Sequence, residues 1–501
     1  MVLFNILITI SAILSFLSFA PFKFVWLILF CFVPLFFTLD TLSNKLISHT
    51  TTAKFKIFFQ ISLLFGIIYN GLTNIWTFQL VEFSSFIEIG LLFIVYTLIQ
   101  SIFYCIIFCL FGLLNSPLYC FPFYWILIEY IKALGPFGSP NGVLGYCLSN
   151  TYLAEYASFF GVYFLSFIIL SINLLLYLFL KHSIVKKHIL KQLTIIFITI
   201  LIFLLPTLIN TPLNYLNKSI NVGLVQVNHP ISYKLIPTNR SSIRNDHILL
   251  SKKGLNLLDL DLIIWPETIT ASENLKFPLF MSNLNYLSTI NDVGFIFGTP
   301  RKDSNKYYNS AALVYNNMSF FYDKNHLMPF GEYWPFKRLF KFLGLNNIIP
   351  GSEFSEASSK RIFNFKSVKL GVGICLETTM GSFYKDYAKQ NAHILISLVN
   401  NGWFKSSSIA ARQLQMLQIR AIETGLPILQ SANMGFTCII EPTGKILTML
   451  PQFESNILTH TLNLYTINTL YLKLGNLIIY ISLIIILIQL IVRKNYFKSK
   501  I

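Results

Sequence analysis

The sequence predicts two architectures in one chain: a polytopic α-helical membrane domain and, inserted into it, a soluble α/β domain. Two observations carry this reading. The 501 residues are 54% hydrophobic and 12% charged, with a mean hydropathy of +0.62, whereas a soluble protein of this size carries about 25% charged residues. The deficit is also uneven. Residues 1–217 are nearly continuous apolar text broken by short polar loops, and 218–473 reads as an ordinary globular domain. A last apolar run, 474–492, precedes a basic tail, 493–501.

A helix needs about 20 apolar residues to cross the hydrocarbon core. Candidates lie near 2–20, 23–39, 57–77, 87–113, 119–134, 155–180, 191–210 and 474–492, seven before the soluble domain and one after it. The second and fifth are short, as tilted or partly re-entrant segments are. Ser18-Phe19-Ala20 resembles a cleavage site, but no Lys or Arg precedes the apolar stretch and further spans follow at once, so a retained first helix is expected. Lys45, Lys54 and Lys56 follow the second span, Lys181, Lys186, Lys187 and Lys191 the sixth, and Arg493, Lys494, Lys498 and Lys500 the eighth. Eight spans put all three groups on one side, which the positive-inside rule makes cytoplasmic. The 218–473 domain then faces the periplasm from a bacterial inner membrane. The net charge of +17 is read as basic loops against anionic membrane lipid. No arginine-rich block or aromatic RNA platform appears, so no nucleic-acid partner is expected.

Within 218–473, short apolar runs bounded by Gly, Pro, Asn or Asp suit strands buried on both faces: Val222–Val227, Leu262–Trp265, Phe295–Gly298, Ala311–Tyr315, Leu370–Cys375, Ile394–Val399 and Ile428–Ser431. Ser408–Thr424 reads as a helix closed by Gly425 and Pro427. An α/β sandwich with helices outside the sheets follows.

Side chains at the C-terminal ends of buried strands line the site in open α/β folds. Three segments have polar residues there. In Leu262-Ile263-Ile264-Trp265-Pro266-Glu267, the proline breaks the ladder and delivers Glu267 at the strand end; the bland alternative is a surface carboxylate in a turn. Tyr322-Asp323-Lys324-Asn325-His326 continues through Glu332 and packs Lys, His and Glu into a turn-rich apolar stretch; the alternative is a solvated loop, with His326 a structural hydrogen-bonder. Leu370-Gly371-Val372-Gly373-Ile374-Cys375-Leu376-Glu377 places a thiol at a strand end, behind two glycines that allow close backbone approach; the alternative is a buried, inert Cys. Cys438, read as mid-strand, takes that inert reading. The other five of the seven cysteines lie in or near the apolar runs, and none has CxxC or metal-ligand spacing. Cys375 and Cys438 are left either as a disulfide or as one functional thiol beside a buried one.

Together the three segments fit covalent acyl chemistry. A thiol needs a base or a nearby cation to act as a nucleophile. Glu267 can take its proton, and Lys324 can stabilise thiolate and oxyanion, aided by the Leu376 backbone N–H.

Trp-Pro-Glu, Lys-x-His-Leu-x-Pro-Phe-Gly-Glu and Gly-x-x-Ile-Cys-x-Glu resemble the nitrilase (carbon–nitrogen hydrolase) superfamily, with its αββα sandwich. With the membrane part included, the chain resembles the apolipoprotein N-acyltransferase family. That likeness includes Trp125–Glu129, Gly145-Tyr146, Val225-Gln226-Val227-Asn228, Tyr308-Asn309-Ser310 and Asn400-Asn401-Gly402-Trp403-Phe404. It implies Glu267 as catalytic base, Lys324 as catalytic lysine and Cys375 as the nucleophile that holds an acyl thioester. Glu332 matches a second glutamate that orients the lysine, Glu377 an acidic residue beside the nucleophile, and Asn309 a polar residue near the site. The implied partners are a phospholipid acyl donor and a diacylated apolipoprotein acceptor, with no cofactor and no metal. Leu376 stands where the family often has Tyr, Leu235 where it often has Trp, and Lys341 where Arg is expected; the 400–404 loop differs from its Asn-Asp-Ala-Trp-Phe form. The rival readings are a membrane-tethered nitrilase-like amidase and a non-catalytic membrane protein such as a transporter.

Overall fold

The fold was read from a computed structural model, which describes residues 1–135, 138–185, 189–205, 213–329, 331–334, 338, 342, 353–357, 360–405 and 407–498. Lys186, Lys187, Lys341 and Lys500 lie outside the described residues. The chain divides into two compact units. Met1–Phe78, Phe86–Asn210 and Lys473–Ile501 form one, and Gln79–Ser85 with Thr211–Leu472 the other.

The first unit is helical. Among the described residues, four helices are long and apolar enough to cross a membrane: Val25–Lys45, Thr51–Glu82, Phe86–Leu113 and Val162–Ser183. Val2–Leu17, Leu193–Leu204 and Leu477–Arg493 are apolar but shorter. This is the build of a membrane protein. The expected fifth span is a 12-residue helix, Phe121–Lys132; at about 1.5 Å per residue it does not cross a bilayer by itself. It is instead the centre of the unit, with Trp125 fully buried among Phe32, Phe65 and Tyr104. The third helix begins earlier than its apolar run because Thr50 caps it, accepting from the Ala53 N–H at 3.3 Å. Lys54 thus lies in the first turns of the helix and not in a loop. It is buried and donates to Asn115 Oδ1 at 2.7 Å and to Ile47 O at 3.1 Å.

The second unit holds two six-stranded sheets. One runs β12-β1-β2-β3-β4-β5 and the other β11-β10-β9-β8-β7-β6. In the first are β1 (Leu213–Gln226), β2 (Leu262–Ile264), β3 (Gly294–Asp303), β4 (Lys306–Tyr315), β5 (Met318–Asp323) and β12 (Asn456–Ile467). In the second are β6 (Ile362–Phe365), β7 (Val368–Ile374), β8 (Ile394–Asn400), β9 (Ile428–Asn433), β10 (Cys438–Ile440) and β11 (Ile446–Met449). The middle strands β1-β2-β3 and β7-β8-β9 pair in parallel, which is why they read as continuous apolar runs. The inner faces meet in one core, with Val222, Leu224, Ile264 and Leu313 against Leu370, Val372, Ile396 and Ile428. Outside the first sheet, Trp265, Phe295 and Phe297 pack under two helices, Arg240–Leu257 (α2) and Pro278–Ile290 (α3), through Ile248, Phe280 and Leu284. The helix Ile231–Leu235 (α1) precedes them. Gly381–Lys389 (α4) and Ile409–Thr424 (α5) pack on the second sheet through Phe383, Tyr387 and Leu417. The layers are therefore αββα. Gly425 ends α5 in the left-handed conformation, φ 66°.

Three details depart from the sequence reading. β1 starts at Leu213, before the expected boundary at 218, because residues 213–215 pair with β12 through Tyr465–Ile467. Cys438 heads its strand and is not at its middle. Gly371 and Gly373 admit aromatic rings: a Cβ would stand 2.7 Å from Tyr387 Cγ and 2.8 Å from Phe383 Cε1. The close approach they allow is that of α4.

Candidate active site

Polar residues at the ends of five strands converge. Glu267 follows β2, Lys324 follows β5, Cys375 follows β7, Asn400 ends β8 and Asn433 ends β9. Sheet pairing brings the chosen segments together although they are far apart in sequence.

Glu267 is buried, at 7% exposure. Its Oε1 accepts from Asn309 Nδ2 at 2.9 Å and its Oε2 from the Asn400 backbone N–H at 3.0 Å. Gly298 of β3 lies directly beneath it: a Cβ there would meet Thr268 N at 2.4 Å and Glu267 Cα at 2.6 Å. Lys324, 1% exposed, has its Nζ 2.8 Å from Glu332 Oε2 and 3.7 Å from Glu267 Oε1, and it donates to Glu332 Oε1 at 2.9 Å. Glu332 also accepts from Asn309 Nδ2 at 2.6 Å and from the Met328 N–H at 2.7 Å. One amide thus bridges the two carboxylates, and one ammonium lies between them. Burial pulls the Lys324 pKa down, but Glu332 and then Glu267 outweigh it and hold it above the usual lysine range. Burial raises Glu267 above the ordinary carboxylate range; Lys324 opposes that shift.

Cys375 heads a 3-10 turn, Cys375–Thr379, with φ 51°. This is a left-handed conformation that side chains other than Gly rarely adopt, and such strain gathers at functional sites. The residue as a whole is partly exposed. Burial of the sulfur and the Glu267 charge push its pKa above the usual thiol range; Lys324 and the Leu376 N–H pull the other way. At rest it is a thiol. Glu377 is fully buried below the turn. Its Oε1 accepts from Tyr322 Oη at 2.7 Å, the Asn325 N–H at 2.7 Å and the His326 N–H at 3.1 Å, and its Oε2 from the Ile374 N–H at 3.0 Å. It ties the Lys324 segment to the Cys375 segment. Burial nonetheless raises its pKa to about 7. Cys438 is fully buried, with burial pushing its thiol up to about 12. All seven cysteines are free.

The sequence reading passed over Asn400 and Asn433 as individual residues. Asn433 Nδ2 donates to Asn400 Oδ1 at 2.9 Å, which steadies the amide that holds Glu267. Both close apolar strand runs, the same signal that picked out Cys375. Glu332 carried only the signal of a charge in an apolar segment, and its double contact with Lys324 depends on the tertiary fold.

The carbon–nitrogen hydrolase family model matches residues 221–471, just over half of the chain, and the model for the apolipoprotein N-acyltransferase N-terminal domain matches 11–175. A relative from Geobacter metallireducens, named apolipoprotein N-acyltransferase, is 27% identical over 372 residues, 72% of this chain and 71% of its own. One of the same name from Shewanella oneidensis is 28% identical over 370 residues, 71% of this chain and 70% of its own. Among solved structures, a carbon–nitrogen hydrolase from Helicobacter pylori is 16% identical with a TM-score of 0.39, covering 49% of this chain and 89% of its own. The chain belongs to the carbon–nitrogen hydrolase family and, with the match over residues 11–175 as well, to the apolipoprotein N-acyltransferases.

Proposed function

We propose that the chain moves an acyl chain from a phospholipid, through a thioester on Cys375, to the N-terminal amine of a diacylglyceryl-cysteine on an apolipoprotein. The observation that carries this reading is the buried Glu267–Lys324–Glu332 cluster within electrostatic range of a strained, partly exposed Cys375. Both partners are lipid-anchored, and a chain with several apolar helices meets them in two dimensions.

In the first half, Cys375 Sγ attacks the donor's sn-1 ester carbonyl while its proton passes to Glu267. Negative charge grows on the carbonyl oxygen, where the Lys324 ammonium and the Leu376 N–H can offset it. The tetrahedral species collapses to the thioester, and the leaving alkoxide takes the proton from Glu267 and departs as a lysophospholipid. In the second half, the acceptor amine attacks the thioester, Glu267 takes the amine proton, and the Cys375 sulfur leaves and regains a proton from Glu267. A thiol held above its usual pKa needs this base, and a carboxylate held above its own is a better base than an ordinary one. No step calls on a metal or cofactor.

For location, the basic loops support a bacterial inner membrane with the catalytic unit on the periplasmic side. Impermeant thiol labelling of cysteines placed on the surface of 218–473, against one placed near Lys186, tests it; the reverse pattern overturns the topology.

The decisive experiment is a burst assay. Phospholipid alone should release about one lysophospholipid per enzyme and stop, because water is kept from the thioester. A diacylated lipopeptide with a free amine should restart turnover, and one with a blocked amine should not. Steady fatty-acid release without acceptor, at the turnover rate, makes the chain a hydrolase.

A further inference from the structure

Lys234 is an ion in an unusual place. It is 4% exposed, and its Nζ has no hydrogen-bond partner among the described residues. A buried ammonium without a partner is costly, and such groups are found where they do a task. It lies on α1, which is stitched to the active site by a short chain of contacts. The His229 N–H donates to Asn433 Oδ1 at 2.8 Å, Asn433 Nδ2 donates to Asn400 Oδ1 at 2.9 Å, and the Asn400 N–H holds Glu267 Oε2 at 3.0 Å. From the other side, Gly402 packs on Ile231, where a Cβ would stand 3.0 Å from Cγ1.

The charges around it single out one partner. Glu267 is the carboxylate whose charge acts on Lys234, and Lys234 acts back on it. The other titratable groups that feel Lys234 are His229, paired with Asp246 Oδ2 at 2.9 Å, and His247, fully buried against Trp265. His247 is neutral, since burial brings it down to about 3. Glu267 itself is faced by Lys324, Glu332 and Cys375 as well. Glu267 and Glu332 share one ammonium, Lys324, and Lys234 adds a second positive charge on the Glu267 side.

We propose that Lys234 is a positioning residue for the acyl transfer: its ammonium holds Glu267 as a carboxylate, ready to accept the Cys375 proton. Lys234 neither gives nor takes a proton in the transfer itself. The inference rests on the reading of Glu267 as the base.

The sign of the effect follows. Without the cation, Glu267 protonates more readily, so fewer molecules hold a working base at low pH. Burial lowers Lys234 itself to about 8. Above that pH its charge is gone, and Glu267 is ionised by pH alone. The experiment uses the full-length protein and phospholipid alone, and reads the rate of acyl adduct formation on Cys375 by intact-protein mass spectrometry from pH 5.5 to 9. Lys234→Met should acylate more slowly than wild type at the acid end of this range, by up to roughly tenfold for each pH unit by which the acid limb moves. At pH 9 the two should agree within about twofold, with the acid limb displaced upward. Lys234→Arg should restore the wild-type limb. If the methionine variant does not fold, Lys234→Gln carries the same expectation. A uniform loss at every pH, with the limb unmoved, reduces Lys234 to packing and overturns the proposal. Normal acylation by Glu267→Gln overturns instead the base reading beneath it.

Discussion

Replacing Glu332 by Gln tests how Lys324, the lysine of the proposed mechanism, is aimed. Both Glu332 oxygens are in use: Oε1 accepts from Lys324 and Asn309, and Oε2 from the Met328 N–H, with Lys324 2.8 Å away. Glutamine keeps the shape but has one acceptor oxygen, and its NH₂ must then face a donor. Whichever way it turns, a buried N–H or the ammonium loses an acceptor, at about 1–3 kcal/mol. Lys324 also loses its nearer anion and swings toward Glu267, now 3.7 Å away. That draws the cation off the oxyanion position and makes Glu267 a weaker base. Losing one aimed oxyanion donor costs on the order of 10²–10³ in rate, so acylation should slow by about a hundredfold. The assay is single-turnover adduct formation on Cys375 with phospholipid alone, with circular dichroism to check folding. A folded Glu332→Gln protein that acylates at the wild-type rate refutes the account of Lys324.

Cys375→Ala should leave the fold intact and abolish the adduct, while Cys438→Ala should keep it; the opposite outcome reverses the assignment. Gly298→Ala drives a methyl into the backbone at Glu267. It should cost about 1–3 kcal/mol by overpacking and roughly a hundredfold in acylation by displacing the base; unchanged acylation would show that Glu267 need not sit there. Glu377→Gln leaves at least one of the four N–H and O–H donors around the carboxylate without an acceptor. A fall in thermal stability equivalent to about 2 kcal/mol is expected, and an unchanged melting temperature would show that those contacts carry little.

Much of this protein is legible in one dimension. Apolar runs that cross a membrane and apolar runs buried between layers differ in length, so an expected boundary at residue 218 and the parallel strands β1, β2, β3, β7, β8 and β9 follow from periodicity and composition, though β1 begins a few residues earlier. Pro266 after Leu262–Trp265, and Cys375 after Leu370–Ile374, mark strand ends because a buried strand tolerates polar residues only where it stops. The short strands β6 and β11 and the helix α4 went unread. Their stability comes from neighbours, as in the Tyr387 and Phe383 rings seated on Gly371 and Gly373, and local propensity is weak beside packing.

The sequence by itself pointed to acyl chemistry, since Glu267, Lys324 and Cys375 are each a polar group at a break after an apolar run. Only the tertiary structure decided their electrostatics. Whether Glu267 meets Lys324 at 3.7 Å, whether Glu332 takes that lysine with both oxygens, and whether Asn400, Asn433 and Lys234 stand around Glu267 depend on the register of two sheets folded face to face. No local pattern encodes that register. It is set by the fit of Val222, Leu224 and Ile264 against Val372, Ile396 and Ile428 across the core, and a shift of one residue in a strand would turn every one of these side chains to the other face.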